Sequence, residues 1–388
     1  MQLGRAKGAP AGAERGEGVP ASDGDGGSGG VKPPGLFSMA YEYERVTQPS
    51  SGLRLHLNEN TAGCSPRVLA ALHGITREQA ACYPDYDQVT RACADRFGVA
   101  SDQILLTNGL DEAVLGISIA ALRRDDSHIV PEAIVIVPAF DMYPACADSA
   151  GGRVVEVSTF DNFEFPIESV LEALTPATRL IFITTPNNPT GRSVPFDRIF
   201  QIAREAPGAT VFVDEAYADF SGETLIGHPD LGAHHNVLIG RTFSKAYGLA
   251  GLRVGALIGA PAALAPIRRI LPPFSLNACA VAALGAALDD VAYYEWYVGQ
   301  VLTSKSELYA ALNRFNVRYW PSDANFVLVD FGRDARKVVA GLAERQVHVR
   351  DKSGDKASPN CVRITTGVVE HTRACIAALE EVLCGEES

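Results

Sequence analysis

Lys245 lies in Arg241-Thr242-Phe243-Ser244-Lys245-Ala246-Tyr247-Gly248-Leu249-Ala250-Gly251-Leu252-Arg253-Val254-Gly255, close to two small hydroxyl residues and followed by a second fixed cation. A lysine attacks an aldehyde only after losing its proton, which requires a desolvated pocket or a neighbouring positive charge. Arg253 supplies such a charge, and its guanidinium fork suits a phosphate. The intervening Gly-Leu-Ala-Gly turn lets backbone approach a ligand closely. The grouping therefore suits a covalently held cofactor that carries a phosphate. A solvated basic loop is the competing reading, and the Phe, Leu, Ala and Val around the lysine weigh against it, because exposed lysines usually sit among polar neighbours.

Other segments carry chemistry less unambiguously. Asn108-Gly109-Leu110-Asp111-Glu112 follows an apolar run and opens a helical stretch. The free N–H groups of such a start suit a phosphate, while an ordinary helix start with Asp111 as a first-turn acid is the alternative. Asp214, in Val211-Phe212-Val213-Asp214-Glu215-Ala216-Tyr217, ends an apolar strand, where a bare carboxylate is costly unless paired; capping of the next helix is the plainer role. Thr185-Pro186-Asn187-Asn188-Pro189-Thr190-Gly191 has a turn composition that any strand-to-helix connection could use. On residue type alone, Phe140 reads as core packing and Tyr83 as a buried structural tyrosine. Arg350 reads as an exposed ion pair with Asp351 or Asp355. Arg363 is followed by an apolar strand, which weakens a solvated-face reading for it.

Positioning these residues falls to a regular alternation. Short β-branched runs at 104–107, 133–137, 153–157, 180–184, 210–213, 237–239 and 254–258 are separated by helical stretches. Continuous apolar strands between helices predict a mostly parallel sheet covered on both faces, with ligands held at the strand ends. After Pro273 the pattern changes to long helical segments at 278–290 and 293–315, strands at 324–330, 347–350 and 361–365, and a closing helix. That reads as a smaller α+β domain.

At 388 residues and 47% hydrophobic content, the chain exceeds what one core usually organises. A net charge of −12 and a pI near 5.2 disfavour a nucleic-acid partner. No apolar run approaches the ~20 residues of a membrane span, so the expectation is a cytoplasmic protein with no membrane partner. The eight cysteines are scattered without metal-ligand spacing, so no metal is expected. Residues 1–38 are Gly-, Ala-, Pro- and Ser-rich without apolar periodicity and read as a disordered tail. Met39 is an alternative start.

From about Leu55 to the last helix, these motifs, in this order, resemble fold-type I pyridoxal-phosphate aminotransferases, in particular the histidinol-phosphate aminotransferase-like branch of the class I/II family. The resemblance implies a mostly parallel seven-stranded sheet between helices. It divides the chain into an N-terminal arm with helices at 39–100, packing on a dimer partner and the small domain, a large pyridoxal-phosphate-binding domain at 101–275 and a small domain at 276–388. It implies pyridoxal 5'-phosphate as cofactor, with Lys245, Asp214 and Tyr217 catalytic. Lys245 would carry the cofactor and then move a proton as general acid and base. Asp214 would pair with the pyridine nitrogen, keeping the ring an electron sink. Asn188 and Tyr217 match donors to the 3'-oxygen, and Phe140 matches the stacking aromatic, usually tyrosine. Gly109, Leu110, Asp111, Thr242, Ser244 and Arg253 match the phosphate site. Tyr83, in Cys82-Tyr83-Pro84, matches a residue that reaches the neighbouring subunit's phosphate, which requires a homodimer with shared sites.

Arg363, in Cys361-Val362-Arg363-Ile364-Thr365-Thr366-Gly367, matches the arginine that binds the substrate's anionic end. Arg350 matches a second arginine near a substrate phosphate, and Asn60 belongs to the Asn58-Glu59-Asn60 core of the substrate-side arm. Thr61 replaces the proline expected after that core, and Tyr41 or Tyr43 are the candidates for an upstream substrate tyrosine. The expected partners are an amino donor, best matched by L-histidinol phosphate, and a 2-oxo acid acceptor such as 2-oxoglutarate. Alternatives are transamination of aromatic or other amino acids and a phosphothreonine decarboxylase-like reaction. A cofactor-sensing regulator would need a DNA-binding module, for which the Gly-rich first 38 residues are unsuited.

Overall fold

In the computed structural model the described residues are 41, 46–123, 129–160, 162–355 and 358–384. The tail at 1–38, the alternative start at Met39 and Tyr43 fall outside them. Strand β1 (Leu53–Leu55) precedes helices α1 (Pro66–His73), α2 (Arg77–Ala81) and α3 (Asp87–Phe97). Then strands and helices alternate: β2 (Ile104–Thr107), α4 (Gly109–Leu122), β3 (Glu132–Val137), α5 (Met142–Ser149), β4 (Arg153–Ser158), α6 (Ile167–Glu172), β5 (Thr178–Thr184), α7 (Phe196–Glu205), β6 (Thr210–Asp214), α8 (Ala218–Ser221), β7 (Val237–Thr242) and β8 (Gly255–Gly259). The C-terminal part runs α9 (Pro261–Ile270), α10 (Ala278–Asp289), α11 (Val291–Arg314), β9 (Arg318–Trp320), β10 (Phe326–Asp330), α12 (Ala335–Glu344), β11 (Val347–Asp351), β12 (Cys361–Thr365) and α13 (Val369–Cys384).

The apolar runs pair into one seven-stranded sheet in the order β2-β8-β7-β6-β5-β3-β4. Strand β8 runs antiparallel to both of its neighbours, and the remaining pairings are parallel. Leu180, Ile181, Phe182 and Ile183 of β5 are all buried, as a strand covered on both faces requires. The mostly parallel sheet matches the expected architecture.

A second sheet has the order β1-β11-β12-β10-β9. Its first strand comes from the N-terminal arm and lies parallel to β11, with Leu53 beside Val347 from the other end region of the chain. Three residues are too few for an alternation to be read, so β1 had no sequence signature. Val327, Val329, Val347, Val349, Val362 and Ile364 turn one face of this sheet toward α11, α12 and α13 to form a second core.

The first core extends past residue 275. Ala280, Ala283, Leu284 and Ala287 of α10 pack into it, together with Tyr297 and Val301 from the first half of α11, whereas Leu308 and Leu312 from the second half of α11 belong to the second core. One 24-residue helix thus carries apolar groups for both. Among the described residues, no helix is long and apolar enough to cross a membrane.

Candidate active site

The C-terminal edge of the large sheet faces a cavity of about 410 Å³. Each of β2, β5, β6 and β7 delivers polar groups there from the residues at or just after its end, and the second sheet closes the far side through Arg350 and Arg363. Of the residues expected at the site, Leu110, Asp111, Phe140, Asn188, Asp214 and Tyr217 line this space. So do Thr242, Ser244, Lys245, Arg253, Arg350 and Arg363.

Lys245 donates from Nζ to the Leu57 carbonyl at 3.0 Å. Burial, and after it the positive charge of Arg363, pulls its pKa to about 8, with Glu59 opposing and Arg253 adding to the fall. The amine is therefore deprotonated to a useful extent near neutrality, as a nucleophile toward an aldehyde requires.

Asp214 ends β6 and is buried. Its Oδ2 accepts from the Tyr143 hydroxyl at 2.7 Å and its Oδ1 from the Ala216 N–H at 2.9 Å. Burial raises its pKa to about 6 despite those two donors. A carboxylate held so firmly at an apolar strand end calls for a cationic partner in the cavity. Tyr143, which the sequence did not single out, is fully buried, stacks on Phe182 at 4.9 Å and accepts from Thr184 Oγ1 at 2.9 Å. Phe140 meets the Tyr143 ring edge-on at 5.7 Å.

At one end of the cavity, α4 begins with Gly109 at φ +75°. A Cβ there would lie 2.5 Å from Arg253 Nη2, so glycine leaves room for the guanidinium. Arg253 itself has a left-handed backbone, φ 55°. It donates to the Ala250 carbonyl at 3.1 Å and to Asp111 Oδ2 at 2.9 Å, so the first-turn acid and the arginine are paired. With the Thr242 and Ser244 hydroxyls lining the same space, this cradle of helix start, hydroxyls and arginine fits a phosphate.

The opposite end is built on the second sheet. Arg363 is 7% exposed, donates to the Asn188 Oδ1 and, at 2.7 Å, to the His56 carbonyl. Arg350 is its cross-strand partner in the β11–β12 register, so both guanidinium groups face one side. His56 follows β1, whose register places it beside Arg350; burial, then Arg54 and His348, pull its pKa to about 4, which leaves it neutral.

Asn58 joins the two ends, a role that its sequence neighbours do not signal. Its Nδ2 donates to the Tyr217 hydroxyl at 3.1 Å, its N–H donates to Thr365 Oγ1 at 3.0 Å, and its carbonyl accepts from Asn325 Nδ2 at 3.2 Å. Within the Asn58-Glu59-Asn60 core, the resemblance points to Asn60 as the substrate residue. Asn60 instead donates to the Ala246 carbonyl at 3.0 Å and accepts from the Ala62 N–H, bracing the lysine segment from outside the cavity lining. Thr61, in place of the expected proline, donates its N–H to the Tyr297 hydroxyl at 3.3 Å, a bond proline lacks. Tyr41 donates to Glu156 on β4 at 3.0 Å and does not line the cavity. Tyr83 is 79% exposed and stacks on Phe274 at 4.5 Å. Lys352 and Asp141 also line the cavity, with no motif in the sequence to mark them.

A family model described as "Aminotransferase class I and II" matches residues 50–379. The chain is 36% identical over 334 residues to a histidinol-phosphate aminotransferase of Symbiobacterium thermophilum, a match covering 85% of this chain and 90% of that protein. It is 37% identical over 348 residues to histidinol-phosphate aminotransferase 2 of Ralstonia nicotianae, covering 87% and 90%. Among solved structures, histidinol-phosphate aminotransferase from Sinorhizobium meliloti in complex with pyridoxal-5'-phosphate superposes with a TM-score of 0.78 at 26% identity, over 87% of this chain and 92% of that one.

Proposed function

Because the chain belongs to the class I and II aminotransferase family, we propose that it is a pyridoxal-phosphate aminotransferase that takes its amino group from L-histidinol phosphate. A 2-oxo acid such as 2-oxoglutarate is the acceptor, and the working form is a cytoplasmic homodimer. The observation that carries this reading is one cavity with Lys245, Asp214 and a phosphate cradle at one end and the Arg350–Arg363 pair at the other. A donor with a phosphate ester in place of the amino acid's carboxylate needs cationic contacts for a larger and more highly charged anion, set farther from the reacting carbon than a carboxylate is.

The residues present fit the cofactor. The helix start at Gly109–Asp111, Thr242, Ser244 and Arg253 would hold its phosphate, Phe140 would cover the ring, and Asn188 and Tyr217 would meet the 3'-oxygen. Asp214 would pair with the ring nitrogen, and Tyr83 would reach the neighbouring subunit's site. When bound, pyridoxal phosphate supplies an aldehyde for amine exchange and an electron-withdrawing ring.

The chain's own groups do the rest. Tyr143 and the Ala216 N–H fix the Asp214 carboxylate so that its charge points into the cavity. Lys245 Nζ, with a pKa of about 8, takes the proton from the substrate's α-carbon as general base and, as general acid, would hand it to the cofactor's aldehyde carbon. Asn58 holds the Tyr217 hydroxyl in place. Arg363 and Arg350 hold the far anion, which fixes the donor's α-carbon relative to Lys245.

The test is direct. Histidinol phosphate, phenylalanine and phosphothreonine are supplied separately with 2-oxoglutarate, and both new oxo compound and carbon dioxide are measured. Turnover of histidinol phosphate well above the other two is expected. Preference for phenylalanine, or carbon dioxide released from phosphothreonine, would overturn the substrate assignment.

A further inference from the structure

Strand β11 alternates strictly. Val347 and Val349 enter the second core, and Arg350 takes the opposite face. The residue two positions beyond Arg350 shares its face, and that residue is Lys352. Its N–H donates to the Cys361 carbonyl at 3.0 Å, so the β11–β12 pairing continues through it. Arg350, Lys352 and Arg363 consequently project into one end of the same cavity.

We propose that Lys352 is the specificity-determining third cation of this subsite, making it select a doubly charged phosphate monoester over a singly charged or uncharged group at the substrate's far end. The proposal rests on the phosphorylated-donor reading above. Two arginines suffice for a carboxylate, which has two oxygens and one charge. A phosphate monoester presents three oxygens and close to two charges, and a lysine serves the remaining oxygen as a point charge.

The surroundings of Lys352 favour a ligand. Its side chain is 13% exposed, and its ion pair with Asp355 is loose at 3.8 Å. Burial pulls its pKa below the ordinary lysine value; Asp141 and Asp355 oppose the fall, and Arg363 and Arg350 add to it. Three cations sharing one half-buried pocket repel one another, and a dianion among them relieves that repulsion while replacing lost hydration. Lys352 escapes sequence reading because Asp351-Lys352-Ser353-Gly354-Asp355 resembles a solvated charged hairpin.

The experiment compares Lys352→Met with the unmodified holoenzyme, since methionine keeps the apolar stem. The readout is the ratio of kcat/KM for histidinol phosphate to kcat/KM for unphosphorylated L-histidinol. A fall of about tenfold or more in that ratio is expected, from loss of one charged hydrogen bond to the phosphate. An unchanged ratio overturns the proposal. Acetic anhydride labelling of the unmodified holoenzyme, mapped by peptide, gives an independent reading that does not need the variant to fold. Inorganic phosphate is expected to protect Lys352, and labelling at the same rate with and without phosphate would refute the assignment. Protection of Lys352 in an enzyme that fails to turn over histidinol phosphate would uphold the anion subsite and overturn the donor assignment instead.

Discussion

Replacing Asp214 by asparagine should stabilise the cofactor-free protein at neutral pH while removing most of its turnover. The carboxyl is 5% exposed and titrates near 6, against 3.8 for an ordinary aspartate. An acid with a raised folded-state pKa costs stability in its ionised form. The unfolded chain ionises near 3.8 and the folded chain near 6, so stability is lost as pH rises between those values and stays lost above them. At about 1.36 kcal/mol per pH unit, that gap corresponds to about 3 kcal/mol. Asparagine avoids this penalty but cannot satisfy both the Tyr143 and Ala216 donors as a carboxylate does, which costs about 1 kcal/mol. The net expectation is about 2 kcal/mol of stabilisation at pH 7, shrinking as the unmodified carboxyl takes up its proton and gone below about pH 4, where both side chains are neutral. Urea unfolding of both apoproteins at a fixed protein concentration, across pH 4 to 7.5, measures the difference and cancels every other titrating group. With cofactor bound the order of merit reverses, because a neutral amide cannot hold the pyridine nitrogen protonated. A stability difference that does not change with pH would refute the burial argument, and near-normal transamination by the variant would refute the assigned role.

Borohydride reduction of the holoenzyme should leave the pyridoxyl group on Lys245. Lys305 is an internal control, because burial pulls its pKa to about 8 as well while its Nζ donates to the Ser322 carbonyl; label on Lys305 would overturn the assignment. Arg350→Ala should weaken histidinol phosphate binding by about 1.5 to 3 kcal/mol, the range for a hydrogen bond to a charged group, and raise the KM for 2-oxoglutarate much less. Equal effects on both constants would move the substrate assignment to a general amino acid. Deleting residues 1–38, whose composition lacks the apolar content for a packed contact, should leave activity and melting temperature unchanged. A drop of several degrees would show that the segment packs.

The site residues that sequence reading reached share one property: their meaning is local. Asp214 is legible because it terminates an apolar run within its own strand, and Gly109 because a strand and a helix meet there. Lys245 is legible because hydroxyls and an arginine lie within the same fifteen-residue segment. Asn58, Tyr143 and Lys352 become meaningful only through partners that the chain brings from elsewhere. Asn58 meets Tyr217 across 159 positions and Thr365 across 307, and Tyr143 meets Asp214 across 71. In sequence, Tyr143 sits within an ordinary helix, α5, and reads as core. The same asymmetry governs the fold. The central strands of the large sheet announce themselves by continuous apolar runs, whereas β1 owes its existence to the free edge of β11 and α10 joins the large core through small alanines that carry little periodic signal. The long-range groups are also the ones that orient others: Tyr143 holds a carboxylate, Asn58 a phenol, and β11 an arginine and a lysine on one face. Under the proposed function, local sequence therefore marks the groups assigned to react, and tertiary pairing determines how rigidly they are aimed. Variants at Asn58 or Tyr143 should accordingly lower kcat more than they raise KM, because they disturb aim within a bound complex and not the contacts that capture substrate.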